Sequence, residues 1–292
     1  MNKIYRNNDV VLGGFDLEDL YTFKNFPVFM GCTEQATADD IFFDMEWKIS
    51  KESGAIQLNP LLPLDIVYKA QHGSGTTGKS WDEHHTAFAD FIFKYNAKNV
   101  LEIGGLHGIL ATKYINKNSD VKWTIVEPNP IVNESEKIKV IKGFFDNTFK
   151  SNEKYDTVVH SHLIEHIYNL DEFIQHKSSF MKEGDNLIFS LPNMKVMLER
   201  KYTNCINFEH TIYLTESYID YFLAKHSFNI VEKKYFKDDH SIFYCAKRAN
   251  EKINYILDDN LYNKNKDTFI SYIKYHLDDV KNINSIIKSV NG

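Results

Sequence analysis

The stretch Val100-Leu-Glu-Ile-Gly-Gly-Leu-His-Gly108 restricts what this chain can fold into more than any other. A short apolar run entering a glycine-rich bend requires a buried strand and then a tight turn. The turn aims backbone N–H groups at a ligand where the next helix begins. Nineteen residues after Gly108 stands Glu127, at the end of a second apolar run, 123–127. A carboxylate there can accept both hydroxyls of a ribose, and at this spacing the two features belong to consecutive strands of one crevice.

The rest of the chain alternates around that pair. Trp81, His84, His85, Phe88, Phe91, Ile92 and Tyr95 recur at helical spacing. Strands are expected at 99–103, 123–127, 140–141, 155–160 and 187–191, and helices at 108–114 and 171–181. Such alternation predicts βαβ units in an α/β fold, a Rossmann-like seven-stranded, mostly parallel sheet. Thr215 is expected to cap a helix reaching about residue 225. Residues 229–235 and 241–247 then read as two antiparallel strands at the sheet edge.

Two flanking regions differ. Residues 1–78 hold short aromatic-rich runs (26–30, 41–49, 55–58) and end in Gly73-Ser-Gly-Thr-Thr-Gly78, a loop suited to close ligand approach. They are read as an N-terminal cap of short strands and loops. Residues 79–248 form the central domain. Residues 249–292 form a C-terminal helical extension, with Phe269, Tyr272, Ile273 and Leu277 at helical spacing. Packing of these C-terminal helices on the body or on a second subunit is expected, the latter giving a homodimer.

Bulk properties exclude several classes. A formal net charge of −6 gives no basic surface for tracking phosphates, so nucleic acid is not the expected partner. No apolar stretch is long enough to span a bilayer, and no secretory leader is read at the N-terminus. The three cysteines, Cys32, Cys205 and Cys245, are far apart and form neither a disulfide framework nor a cysteine zinc site. The expected compartment is the cytoplasm.

The glycine turn and Glu127 resemble motif I and the following acidic position of class I S-adenosylmethionine-dependent methyltransferases. The resemblance implies S-adenosylmethionine as cofactor. Glu102, Gly104, Gly105 and Gly108 would line the turn around its methionyl part, and Glu127 would take the ribose. Phe144, Phe145 and Asp146 match the segment that encloses and hydrogen-bonds the adenine, and the resemblance implies that His160, which ends the next matching strand, also lines the cofactor. The similarity continues through Leu163-Ile-Glu-His-Ile167 and Gly184-Asp-Asn-Leu-Ile-Phe-Ser-Leu-Pro192. A dinucleotide-dependent enzyme is the competing reading, but it ordinarily carries G-x-G-x-x-G, with a pyrophosphate to hold.

Within that family, Ile206-Asn-Phe-Glu-His-Thr-Ile-Tyr-Leu-Thr215 resembles the I-Y-H-E-H-x-x-Y-Y-S signature of bacterial nucleotide-sugar C-methyltransferases. Upstream, Ile56-Gln-Leu-Asn-Pro60, Tyr68, His72-Gly-Ser-Gly-Thr76 and His84 resemble that family's entry into its catalytic domain. The resemblance implies Glu209 and His210 as catalytic residues, with His72 beside a closing loop. Asn207 replaces the signature tyrosine and Phe208 its first histidine, and the four cysteines of that family's zinc module are absent. His162, Glu165, His166 and His210 also resemble the E-x-x-E-H…H set of metal-assisted O-methyltransferases, which implies a divalent metal. The expected activity is O-methylation of a small nucleotide-linked acceptor, a sugar or a capsule phosphoramidate precursor. Sugar C-methylation and a non-catalytic adenosyl-binding subunit are the alternatives.

Overall fold

The computed structural model describes residues 3–29, 36–68 and 78–290. In chain order its strands are β1 (Leu17–Pro27), β2 (Phe42–Ser50), β3 (Ile56–Leu58), β4 (Asn99–Ile103), β5 (Lys122–Glu127), β6 (Ile138–Lys142), β7 (Thr157–Ser161), β8 (Asn186–Pro192), β9 (Phe228–Phe236) and β10 (Ser241–Arg248). Its α-helices are α1 (Leu64–Val67), α2 (Lys79–Phe93), α3 (Ile109–Ile115), α4 (Leu170–Phe180), α5 (Met194–Glu199), α6 (Glu216–Lys225) and α7 (Leu261–Val290).

Contacts divide the chain into two units: 1–69 with 194–215 and 257–292, and 70–193 with 216–256. Sequence pattern alone predicts three contiguous segments, 1–78, 79–248 and 249–292. The stretches 194–215 and 257–292 are remote from the N-terminus in sequence, yet they pack with it.

The second unit carries a sheet in the order β6-β5-β4-β7-β8-β10-β9. The pairs β5–β6, β4–β5, β4–β7 and β7–β8 are parallel, and β10 is antiparallel to both β8 and β9. This is the expected Rossmann-like α/β sheet. β4 and β5 are buried along nearly their whole length, as parallel strands covered on both faces must be. Helix α2 turns Phe88, Phe91 and Ile92 into a core shared with Val100, Leu110, Tyr114 and Trp123. Asn169 starts α4, where its side chain accepts from the Glu172 N–H and donates to the Glu172 carboxylate, a reciprocal cap. Thr215 precedes α6 as expected, but its buried hydroxyl has no hydrogen-bond partner among the described residues, so it does not cap the helix.

The first unit holds a three-stranded antiparallel sheet, β1-β2-β3. β1 begins well before the aromatic-rich run 26–30. Its residues are only partly buried on either face, which blurs the two-residue alternation that marks strands. The 206–215 stretch lies along β3, with the Tyr213 N–H donating to the Ile56 carbonyl and the Leu58 N–H to that of Thr211. The Arg6 guanidinium donates to the Leu58 and Thr211 carbonyls. The C-terminal region is one long helix, α7, whose Leu261, Asn265, Phe269, Tyr272 and Ile273 are buried. Gly54 gives it room: a Cβ there would fall 2.4 Å from the Tyr262 nitrogen. Leu277, expected on the packed face, is 43% exposed because the unit's cover stops one turn earlier. No helix among the described residues is long and apolar enough to cross a membrane.

Candidate functional site

The order of the sheet reverses at β4, which sends β5 and β6 to one side and β7 and β8 to the other. Such a reversal opens a crevice beyond the carboxyl ends of the strands. The glycine turn sits there. Gly104 (φ +81) donates to the Val126 carbonyl at 2.9 Å, which ties the turn to the end of β5. Gly108 (φ +63) occupies the left-handed region immediately before α3, where a side chain is disfavoured. Gly105 is required for another reason. A Cβ on it would lie 2.8 Å from the Glu102 carboxyl carbon.

Glu102 therefore lies directly beneath the turn. It is almost wholly buried and accepts a hydrogen bond from Trp123 Nε1 at 2.7 Å. Burial pushes its carboxyl up to about 7; the Trp123 bond opposes this and the Glu127 charge adds to it. Glu127 ends β5, and its Oε1 accepts from the Asn129 N–H at 3.0 Å. Burial raises its pKa above the usual carboxylate range, against the pull of that N–H. The Gly143 N–H donates to the Glu127 carbonyl at 3.1 Å, which brings the end of β6 to the same place. Turn, carboxylate and the 143–146 segment thus occupy adjoining strand ends.

Two cofactor assignments made from the sequence require correction. Phe145 is 6% exposed and packs among Phe149, Phe173, His176 and Phe180, so its ring belongs to the core. Phe144 is 65% exposed and is the ring available to a ligand. His160 is fully buried, stacked on Phe189 with centroids 4.9 Å apart, and its Nε2 lies 2.9 Å from Lys177 Nζ. It faces α4 because successive side chains along β7 alternate between the sheet's faces. Burial drives both groups well below their ordinary pKa values. Lys177 also lies 4.2 Å from the centre of the Phe173 ring. Asp146 accepts from the N–H and hydroxyl of Thr148, which hold its carboxylate below the usual range.

After β7 the chain enters the left-handed region at His162 (φ +47) and makes a short 3-10 turn over Ile164–His166. His162 Nδ1 and His166 Nε2 lie 3.4 and 3.8 Å from the same oxygen, Glu165 Oε1, and Glu165 is buried. His162 Nε2 lies 3.3 Å from the Ser241 hydroxyl, which lies 2.9 Å from His240 Nδ1. Trp81 and His84 meet the His162 ring edge-on at 4.8 and 5.0 Å. Neither His84 ring nitrogen has a hydrogen-bond partner among the described residues, and burial pushes its pKa down to about 2. These neighbours are not visible in the sequence. The helical spacing of Trp81 and His84 marks them as packing residues but does not identify what they pack against.

The fourth residue of the metal set, His210, belongs to the first unit with Glu209. There Asn207 Oδ1 accepts from the N–H groups of both Glu209 and His210, at 2.9 and 2.8 Å. His210 Nδ1 lies 2.9 Å from the Cys205 carbonyl oxygen. A carbonyl can only accept, so Nδ1 carries the proton and the basic lone pair sits on Nε2. Phe208 is buried against Phe26. His72, most of the 73–78 loop and Cys32 lie outside the described residues.

Comparison with known proteins gives one family match: the family described as a methyltransferase domain matches residues 79–233. No curated protein matches the chain. Among solved structures, the chain is similar to an O-methyltransferase family protein from Burkholderia thailandensis, with 11% identity and a TM-score of 0.47 over 57% of this chain and 56% of that one. The chain thus spans about half the length of that protein. It is also similar to the N-methyltransferase NodS from Bradyrhizobium japonicum WM9 in complex with S-adenosyl-L-homocysteine, with 14% identity, a TM-score of 0.47 and 61% and 93% coverage. Magnesium protoporphyrin IX methyltransferase from Synechocystis PCC 6803, with bound S-adenosylhomocysteine, shows 13% identity, a TM-score of 0.47 and 61% and 91% coverage.

Proposed function

The chain belongs to the methyltransferase-domain family, and from that premise we propose that it methylates an oxygen of a small, nucleotide-linked acceptor, a sugar or a capsule phosphoramidate precursor. As a member of that family it is an S-adenosylmethionine-dependent methyltransferase. The observation that carries the assignment of the cofactor is the junction of β4 and β5, where a backbone turn closed to side chains by Glu102 adjoins the Glu127 carboxylate.

The residues there fit the cofactor. Glu127 would accept from the ribose hydroxyls, the N–H groups of the Gly104–Gly108 turn would receive the amino-acid end, and Phe144 offers an exposed ring to the adenine. The bound cofactor supplies a methyl group already activated on a sulfonium. What remains for the chain is to position the acceptor and remove its proton. His210, with its proton fixed on Nδ1, is the proposed base, and Glu209 is held beside it by Asn207. Asn207 stands where the carbon-methylating signature has tyrosine, and this favours oxygen as the acceptor atom.

Calorimetry with S-adenosylhomocysteine and with NAD⁺ tests the cofactor: only the former should bind. Labelled S-adenosylmethionine incubated with nucleotide sugars tests the acceptor class, and His210→Gln should remove turnover while leaving homocysteine-adduct binding intact. Cofactor binding without product from any acceptor would favour a non-catalytic adenosyl-binding subunit, and a methylated carbon in the product would overturn the choice of oxygen.

A second reading rests on one observation, that Glu165 and His166 offer ligand atoms within 4.8 Å of each other. An imidazole and a carboxylate are donors that suit Zn²⁺, Mn²⁺ or Fe²⁺. Such an ion would bind the acceptor oxygen and lower its pKa. Turnover that survives exhaustive chelation would remove this reading.

A further inference from the structure

We infer that the C-terminal half of α7 is a dimerisation seam, which pairs in parallel with the same segment of a second copy of this chain. In its first half, α7 lies on its own unit. Phe269 meets Trp47, and the Tyr272 hydroxyl donates to the Tyr202 carbonyl. From Leu277 onward every described residue is exposed, yet the apolar pattern does not stop there. Phe269, Ile273, His276, Val280, Ile283, Ile287 and Val290 follow one another at alternating steps of four and three. That is the repeat that keeps a seam facing a partner helix. The fold covers the first members of this series and leaves the last four open.

The open part is large for a surface with no occupant. Leu277, Val280, Ile283, Ile286, Ile287 and Val290 are between 43% and 78% exposed. Together they present roughly 500 Å² of apolar surface, toward the upper end of what a monomer commonly shows. Pairing two such faces would bury on the order of 1,000 Å², about the threshold for a specific interface.

The polar residues identify the partner. Lys281 and Lys288 repeat seven apart on the side away from the seam, with Asp278 also outside it. Two polar residues flank the seam itself, Asp279 and Asn284, five apart in sequence. In a parallel, in-register pair, five residues is the offset at which one flank of a helix faces the other flank of its partner. The Asn284 amide of one copy would then donate to the Asp279 carboxylate of the other, twice by symmetry. A second copy therefore satisfies the only charge beside the seam, and an isologous pair closes without leaving a free face.

Sedimentation equilibrium of the full chain tests this between about 1 and about 100 µM. The expected species has twice the 34.1 kDa chain mass. Ile283→Asp combined with Ile287→Asp should weaken association at least about 100-fold. Ser285→Asp, on the outer side, should leave it unchanged. Both positions of the double variant are exposed in the monomer, so it should still fold, melting cooperatively but at a lower temperature than the dimeric parent at the same concentration. Ile283→Cys should cross-link two copies in air, whereas Ser285→Cys should not. A species of single chain mass throughout this range would overturn the inference, as would a double variant that stays dimeric. A dimer without the Ile283→Cys cross-link would overturn the parallel register. A chain that stays monomeric but binds vesicles of anionic phospholipid would show that the face serves a lipid surface instead.

Discussion

Replacing Glu102 by glutamine should change how stability depends on pH, by an amount the structure fixes. The carboxyl is enclosed beneath the glycine turn with one donor, Trp123 Nε1, and burial lifts its pKa from 4.5 to about 7. Between those values the folded chain holds the proton more tightly than the unfolded chain. The resulting stabilisation is complete below 4.5 and is lost as the pH rises through 7. A displacement of that size in a fully enclosed group corresponds to a loss on the order of 3 kcal/mol. Glutamine keeps an oxygen for the Trp123 N–H and cannot ionise, so the variant should gain on the parent by that amount across the interval. Other titrating groups are common to both proteins and cancel in the difference. Urea unfolding of both proteins at several pH values from about 5 to 8, followed by tryptophan fluorescence, measures the gap directly. A gap that stays constant over this range would mean that Glu102 ionises at an ordinary carboxylate pKa, and the account of an enclosed acid under the turn would be wrong.

Three further outcomes follow from the same strand ends. Glu127→Gln should weaken S-adenosylhomocysteine binding about 10- to 100-fold by calorimetry, because a charge-assisted acceptor becomes a neutral one; unchanged affinity would place the ribose elsewhere. Phe145→Ala should cost about 3 kcal/mol in urea unfolding, since the ring fills an aromatic core. Phe144→Ala should stay within about 0.5 kcal/mol and reduce affinity instead, and the reverse ranking would show that the two rings had been exchanged. Gly108→Ala should destabilise by about 2 kcal/mol, because it puts a side chain on a left-handed residue with Val132 Cγ2 2.5 Å from the new Cβ. An unchanged melting temperature would count against that geometry.

Much of the central sheet is legible in the sequence. The run 99–103 coincides with β4, and the runs for β5, β7 and β8 end within one or two residues of the observed strands. Continuous apolar segments of this length between helical patterns have few other uses in a folded chain. The glycine turn and Glu127 are legible for a similar reason. A positive φ at Gly104 and Gly108 is a demand on the local backbone, and a carboxylate at a strand end is fixed by the strand before it. The Asn169 cap was missed, although Asn followed three residues later by Glu could have revealed it.

Local pattern and tertiary structure settled different questions about this chain. Periodicity and turn chemistry act over a few residues, so the sequence by itself determined most strands of the seven-stranded sheet, the glycine turn after β4 and the acid that ends β5. It could not determine which of two adjacent phenylalanines enters the core, nor that His160 would be enclosed with Lys177 rather than face a ligand. Nor could it show that 194–215 and 257–292 would join the N-terminal sheet. Those outcomes depend on groups far apart in the chain meeting at contact distance. A hydrophobic pattern shows that a face must be covered, and only the packed structure decides what covers it.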